Sequence, residues 1–359
     1  MSEAVNGLDR DYLGQHILGS MLGAALGDAM GAATEQHQID EIIAEYGGLL
    51  DKIIAPPIDT FSHGEIAGLV TDDCSQMFAL TEVLIATDGQ LNDEAWIKRL
   101  IHWSQYSPMR RQQGPTTKPL LAALAAGEST DHIGIVGNST RKLATMGTTN
   151  GASMRVAPAG LIHPGDTEGA VNTAWISARP THGTQIAASG AGGIAAGVAE
   201  ALLPTADVFS VVEAALAGAR LGEKVGRENG RSAPGPSVVR RIEIAVEEAL
   251  RASSFEQAIR NIEASVGNSV MMVESMPAAV GIFVAAKGDP VGCAVGGTNI
   301  GNDTDTIAAM AGAMAGALKG PQAIPQDMRN TLYSANEEDI DQLAAGLTEI
   351  AWRNWQGGK

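Results

Sequence analysis

The sequence predicts an all-α fold, and three observations carry that expectation. Hydrophobic residues make up 45% of the 359-residue chain, yet only 4% of its residues are aromatic. A core made of Ala, Leu, Ile, Val and Met favours close helix packing over sheet sandwiches, where β-branched and aromatic side chains concentrate. Helical periodicity dominates, and residues 49–54 are the one stretch with an arguable strand signal. Glycines also recur four residues apart inside apolar segments, which puts them on one helix face.

In chain order, the first predicted helix runs on from Ile17 and carries Gly19, Gly23, Gly27 and Gly31. Such a stripe lets a neighbouring backbone approach closely, at a propensity cost of about 1 kcal/mol per glycine relative to alanine. Helices follow at 73–87, 92–105, 117–126 and 167–177. The apolar segment 183–203 repeats the small-residue device with Gly193 and Gly197. Helices at 209–221, 237–252, 255–266 and 273–287 come next; in 237–252, Val238, Ile242, Val246 and Leu250 share one face opposite Arg and Glu. Gly312 and Gly316 mark a further glycine stripe in 306–318, and 337–355 closes the series. Loops are expected at 56–68, 107–116, 180–183 and 222–236. The last, with glycine, proline and mixed charge, reads as a mobile flap or surface insertion. With no repeat or low-complexity segment, residues 1–359 read as one domain.

Charge narrows the function. The chain has 24 basic and 41 acidic residues, a net charge of −17. Such a protein repels phosphate backbones unless it has a basic patch, and the doublets Arg110-Arg111 and Arg240-Arg241 stand alone. Nucleic acid is therefore not an expected partner, whereas an acidic surface suits divalent cations. The two cysteines, Cys74 and Cys293, form neither a metal-type spacing nor a disulfide framework. Residues 1–10 lack the pattern of a secretory leader, so a cytoplasmic address is expected. The apolar stretches 17–33 and 183–203 are interrupted by Asp28 and Glu200 and are rich in Gly and Ala, which argues against membrane spans.

Two places break the apolar pattern with clustered oxygen donors. Thr71-Asp72-Asp73 directly precedes Cys74-Ser75-Gln76-Met77, and Asn302-Asp303-Thr304-Asp305-Thr306 directly precedes Ile307-Ala308-Ala309-Met310. Helix capping accounts for one acceptor at each junction. It does not account for two mutually repelling carboxylates at each, and a divalent cation removes that repulsion. On a regular helix Asp303 and Asp305 would diverge by about 200°, so they converge only if the chain has not yet become helical there. An all-oxygen donor set selects Mg²⁺, Mn²⁺ or Ca²⁺ over zinc or copper. Four carboxylates exceed what one Mg²⁺ usually takes, which points to a two-metal site.

These motifs, taken in order, resemble the ADP-ribosylglycohydrolase family: Gly27-Asp28 then Glu35, Thr71-Asp72-Asp73, Asn150-Gly151-Ala152-Ser153-Met154-Arg155, Thr181-His182, and Asp303-Thr304-Asp305-Thr306. The likeness spans about residues 17–318. It implies a single compact orthogonal helical bundle with a central metal-binding cleft holding two Mg²⁺ (or Mn²⁺) ions. By motif, the resemblance makes Thr71, Asp72, Asp73, Asp303, Asp305 and Thr306 the metal ligands, and Glu35 the mobile active-site glutamate. The chain departs from the family pattern at Cys74, where Thr is common, and at Asn302, where Gly is common.

On the substrate side, residues 150–155 have two readings. A loop and helix cap is one; the other, favoured by the resemblance, is ligand contact through Asn150, Gly151, Ser153 and Met154. Arg155 either binds phosphate or pairs with a nearby carboxylate. His182, structural by default, and Gly114, in a turn by default, become substrate-binding residues by resemblance. Phe61 and Tyr106 are the aromatic candidates for stacking a base. The expected activity is Mg²⁺-dependent hydrolysis of an N-glycosidic bond to ribose through an oxocarbenium-like state, with Asp305 or Glu35 handling the proton. The expected partner is an ADP-ribosylated protein or a small ribose-containing molecule. The alternatives are a nucleoside or riboside N-glycosidase and a non-catalytic binding or structural homologue.

Overall fold

In the computed structural model, residues 8–357 are described. Residues 1–7, part of the stretch read above as lacking a leader, lie outside the described residues, as do 358 and 359. Among the described residues the fold has sixteen α-helices. They are α1 (Arg10–Gly31), α2 (Ile39–Tyr46), α3 (Asp72–Ala86), α4 (Asp93–Tyr106), α5 (Thr117–Ala125) and α6 (Ala157–Leu161). Next come α7 (Thr167–His182), α8 (Gln185–Ala201), α9 (Val208–Asn229), α10 (Val238–Arg251) and α11 (Phe255–Val266). The chain finishes with α12 (Met272–Ala285), α13 (Pro290–Thr298), α14 (Thr304–Lys319), α15 (Gln326–Ala335) and α16 (Ile340–Gly357). Among the described residues there is no sheet, only isolated bridges such as Thr149 to Met271. The all-α expectation holds. No helix among the described residues is long and apolar enough to cross a membrane.

The glycine stripes do what their spacing requires. Along α1, a methyl group on Gly19 would collide with the Gly316 carbonyl, one on Gly23 with Gly312, and one on Gly27 with Ala308. The stripe ends at Gly31, whose added methyl would strike the backbone of Asp305. The two helices thus meet backbone to backbone over four turns, and the contact delivers the start of α14 to the end of α1. A second such pair joins α8 to α9, where Gly192 meets Gly218 and Ala188 meets Gly222. Around these pairs one continuous cluster of buried side chains extends from Leu13 to Ala351.

Several local expectations change. The flap expected at 222–236 is helix as far as Asn229, because Gly218, Gly222 and Gly226 continue the four-residue spacing and seat α9 against α8. The remaining strap is tied down: Arg231 donates its N–H to the Gly183 carbonyl (2.9 Å), and the Gln185 side chain pairs with both backbone groups of Ala233 (2.8 and 2.6 Å). The loop expected at 180–183 is the last turn of α7. Pro180 sits in that final turn, where it withholds an N–H from the Ile176 carbonyl one turn earlier. Residues 49–54 form no strand, and the chain bends at Lys52. The Asn299 carboxamide supplies the pairing instead, accepting from the Leu50 N–H (2.8 Å) and donating to the Leu50 carbonyl (2.9 Å). Helices α2, α13 and α15 had no counterpart in the sequence reading, and α6 entered it only as a helix start after residues 150–155. All four are ten residues or shorter, a length at which periodicity is a weak signal.

Replacing Gly312 with Ala tests the α1–α14 contact. Helix propensity alone would stabilise by about 1 kcal/mol. Forcing a methyl into a backbone-to-backbone contact costs about 1–3 kcal/mol or more. We expect a net loss, read as a lower urea midpoint; a raised midpoint would mean the helices are not so closely apposed.

Candidate active site

Seven separate stretches of chain converge on one cavity of about 370 Å³. Its floor is acidic. Asp72 and Asp73 come from the first turn of α3, Asp305 and Thr306 from the first turn of α14, and Asp303 from that helix's N-cap. Glu35 comes from the turn after α1 and already lines the cavity. Asp303 lies just outside helical geometry (φ −95°, ψ 60°), which lets it and Asp305 face one space.

The chain around Asp303 is shaped for this. Gly301 (φ 81°) and Asn302 (φ 60°) both adopt left-handed backbone, a conformation asparagine tolerates better than most residues. Asn302 accepts from the Gln36 N–H (2.8 Å) and donates to the His37 carbonyl (2.9 Å), tying the acidic loop to the turn that carries Glu35. The Asn302 departure therefore preserves the backbone that glycine would supply.

Asp28 organises the other junction. It is fully buried in α1, where it accepts from the N–H groups of Thr71 (2.9 Å) and Cys74 (2.9 Å). A carboxylate holding two N–H groups at a helix start is well placed for the helix dipole. The sequence reading included Asp28 in a motif but assigned it no role. The signal was present, as a lone charge inside an apolar glycine-rich helix. Cys74 is buried and does not line the cavity; its contribution is a backbone N–H.

Of the substrate-side residues, Gly114, Asn150, Gly151 and Met154 line the cavity. Ser153 and His182 do not, and neither does Thr71, which was expected as a metal ligand. Thr71 is the N-cap of α3, accepting from the Asp73 N–H (3.3 Å). Ser153 donates to the Asn150 carbonyl (3.1 Å). His182 is buried behind Gly151, paired with Thr149 (3.0 Å) and Thr181 (2.8 Å). Asn150 donates to Ser275 Oγ (3.0 Å) and to Asp303 Oδ2. Arg155 does neither thing expected of it: it is fully buried and donates to Gln76 Oε1 (2.7 Å) and Thr181 Oγ1 (2.8 Å).

The outer wall brings in residues that the sequence did not single out as site residues, Arg111, Gln112 and Gln36, together with Phe61. Gln112 donates to Ser62 Oγ (2.7 Å) and Arg111 pairs with Glu65, so two loops are joined at the mouth. Tyr106 lies outside the lining, exposed on α4 beside His102.

With this geometry in view, comparison with known proteins is informative. A family model described as ADP-ribosylglycohydrolase matches residues 9–356. The chain belongs to the ADP-ribosylglycohydrolase family. It is 30% identical over 343 residues to the uncharacterized protein YegU of Escherichia coli (strain K12), covering 93% of this chain and 97% of that one. An uncharacterized protein of Archaeoglobus fulgidus is also 30% identical, over 340 residues, with 93% and 96% covered. A solved structure described as an ADP-ribosylglycohydrolase-related protein complex shares the fold, with a TM-score of 0.64, 22% identity, and 95% of this chain and 99% of that one covered. Membership in the ADP-ribosylglycohydrolase family implies glycosyl hydrolase chemistry on ADP-ribose-like substrates.

The acidic groups of the ADP-ribosylglycohydrolase cavity repel one another. Among the described residues, no group of three or more His, Cys, Asp or Glu side chains is arranged to hold a metal ion as it stands. The carboxylates are instead crowded and poorly solvated. Burial, then Asp305, pushes Asp72, Asp73 and Glu35 up, Glu35 to about 10. Burial and then Asp305 do the same to Asp303, while burial and then Asp28 raise Asp305 to about 7. Asp73 Oδ2 is buried with no hydrogen-bond partner, a costly state for a carboxylate oxygen. The donor set fits a hard cation, which would supply that oxygen's missing partner and offset the repulsion.

A carboxyl whose folded pKa exceeds its unfolded value favours the fold at low pH and loses that contribution as pH rises. For Asp305 the window runs from about 3.9 to about 7. His182 and His163, held neutral by burial, push the opposite way, so the informative quantity is the difference between wild type and variant. In chelator, Asp305→Asn should raise the melting temperature by at least ~2 °C near pH 8.5 and by much less near pH 5. Equal shifts at both pH values would contradict the raised Asp305 pKa.

Proposed function

We propose that this protein, acting as one domain in the cytoplasm, is a Mg²⁺-dependent hydrolase of an N-glycosidic bond to ribose. The substrate we assign is an ADP-ribosylated protein or small acceptor. One observation carries the proposal: five carboxylates, Glu35, Asp72, Asp73, Asp303 and Asp305, line a single cavity, and one of their buried oxygens lacks a partner. Such an arrangement is unfavourable unless something cationic binds there.

Asp72, Asp73, Asp303, Asp305 and Thr306 would hold two Mg²⁺ ions (or Mn²⁺), with the Thr71 hydroxyl beside Asp305 supporting them. Bound there, the metal supplies Lewis acidity toward ribose hydroxyls and a lowered pKa for water. The chain's own groups do the rest. Glu35, raised to about 10 by burial and its acidic neighbours, holds a proton at neutral pH, and a cation held by those neighbours would return its capacity to accept one. Asp305, raised to about 7 in the absence of a cation, is the second candidate for moving the proton from the attacking water. Gly114, Gly151 and Met154 form the wall on which the sugar rests, and Phe61 at the mouth offers a face to a base. His182 and Ser153 act from behind, backing Gly151 and Asn150.

A simple riboside is the second reading. Arg111 is the one basic residue among those lining the cavity, and it is already paired with Glu65, so a diphosphate meets no free side-chain cation there.

The double substitution Asp303→Asn with Asp305→Asn should lower turnover by at least ~10²-fold and weaken metal binding. The assay is ADP-ribose release from ADP-ribosyl-arginine run beside base release from nucleosides, each with Mg²⁺ and with chelator. Activity undiminished in the double variant would defeat the proposal. Base release from nucleosides alone would move the assignment to the riboside reading.

A further inference from the structure

Behind the acidic floor lies a polar network that the reaction does not touch directly. Gln76, one turn into α3 and fully buried, donates through Nε2 to Asp72 Oδ2 (3.1 Å). Its Oε1 accepts from Arg155 Nη1 (2.7 Å). Arg155 is also fully buried: its second terminal nitrogen donates to Thr181 Oγ1 (2.8 Å) and the Ser177 carbonyl (3.3 Å), and its guanidinium lies 5.4 Å from the centre of the Trp96 ring. Trp96 Nε1 donates to the same Ser177 carbonyl (2.8 Å), which fixes the platform. Among the described residues Arg155 forms no direct ion pair, an expensive arrangement for a buried cation.

We infer that Arg155 and Gln76 are positioning residues that set which oxygen of Asp72 is offered to a cation in the cavity. A carboxamide alone can turn over, exchanging its donor and acceptor ends. A guanidinium only donates, so Arg155 compels Gln76 to present its oxygen backwards and its N–H forwards to Asp72 Oδ2. That contact holds the Asp72 side chain and leaves Oδ1 for the cavity. The inserted amide matters. A direct Arg–Asp pair would neutralise Asp72 and compete with a metal for it, whereas one amide's separation keeps the orientation and spares the charge. The same device recurs at the other junction, where the Asn150 carboxamide donates to Asp303 Oδ2 while Ser275 Oγ takes its other N–H (3.0 Å). Each acidic junction thus has one aspartate oxygen held by a buried carboxamide. Partners of this kind, one step removed from a ligand, typically change metal affinity 10–100-fold.

The inference rests on the cation site proposed above, and Mn²⁺ titration followed by electron paramagnetic resonance tests the two separately. Gln76→Met, similar in length and lacking the donor, should weaken Mn²⁺ binding by about 10-fold or more. Arg155→Met should weaken it too, and the double variant should bind no worse than Gln76→Met, because Arg155 acts through Gln76. Arg155→Lys, which still only donates, should recover part of the affinity lost in Arg155→Met. Should the Met variants fail to fold, Thr181→Val, which removes one anchor of Arg155 without touching the cavity, should lower Mn²⁺ affinity in the same direction by less. Wild-type protein that binds no Mn²⁺ overturns the cation site and this inference together. Wild-type binding with unchanged affinity in folded Gln76→Met, or in folded Thr181→Val if the Met variants fail, or additive losses in the double variant, overturns the positioning role alone.

Discussion

The backbone-to-backbone contact between α1 and α14 is the constraint from which the site follows. These helices are nearly 300 residues apart in sequence, and no loop holds them together. Glycine does, by removing every side chain that would separate the axes at Gly19, Gly23, Gly27 and Gly31 on one side and Gly312 and Gly316 on the other. Dispersion between close-packed backbones then replaces side-chain interdigitation. Because the stripe ends at Gly31 against Asp305, the register that packs the core also sets the position of the acidic helix start. Thr304 Oγ1 donates to the Gly31 carbonyl (2.7 Å), locking the same point.

From that contact the site assembles outward. Asp28 sits one turn before Gly31 and gathers the start of α3 through Thr71 and Cys74, bringing Asp72 and Asp73 to the same space as Asp303 and Asp305. Burying so many carboxylates is unfavourable in isolation, and the raised pKa values record that cost. The fold tolerates it because the surrounding core is extensive and several of the carboxylates have a donor: Asn150 on Asp303, Gln76 on Asp72 and main-chain N–H groups on Asp28, while Asp73 Oδ2 is left without one. Local strain of this kind concentrates where proteins bind ligands.

How far the sequence could be read depended on the length scale of each feature. Long amphipathic or glycine-striped helices announced themselves by period, and the two acidic junctions by clustered oxygens. Short helices such as α13 did not: its nine residues include three glycines and two valines, poor helix formers, whereas the equally short α5 is rich in leucine and alanine. The segment 222–229 was misread because glycine marks both loops and close helix contacts, and only the presence of α8 distinguishes them. Arg155 was undecidable from sequence for a similar reason. Its partners, Gln76, Ser177 and Thr181, come from elements whose proximity no local pattern encodes.

What the sequence by itself determined is the class of fold, the small-residue stripes, and the residue types able to bind a hard cation, since periodicity and donor chemistry are local properties. Only tertiary structure decided which of those residues share a cavity. His182 and Ser153 fell behind its wall and Tyr106 outside it, while Glu35, Gly114 and Phe61 fell on its lining. Direction and distance between remote segments arise from packing, and packing is a property of the whole chain.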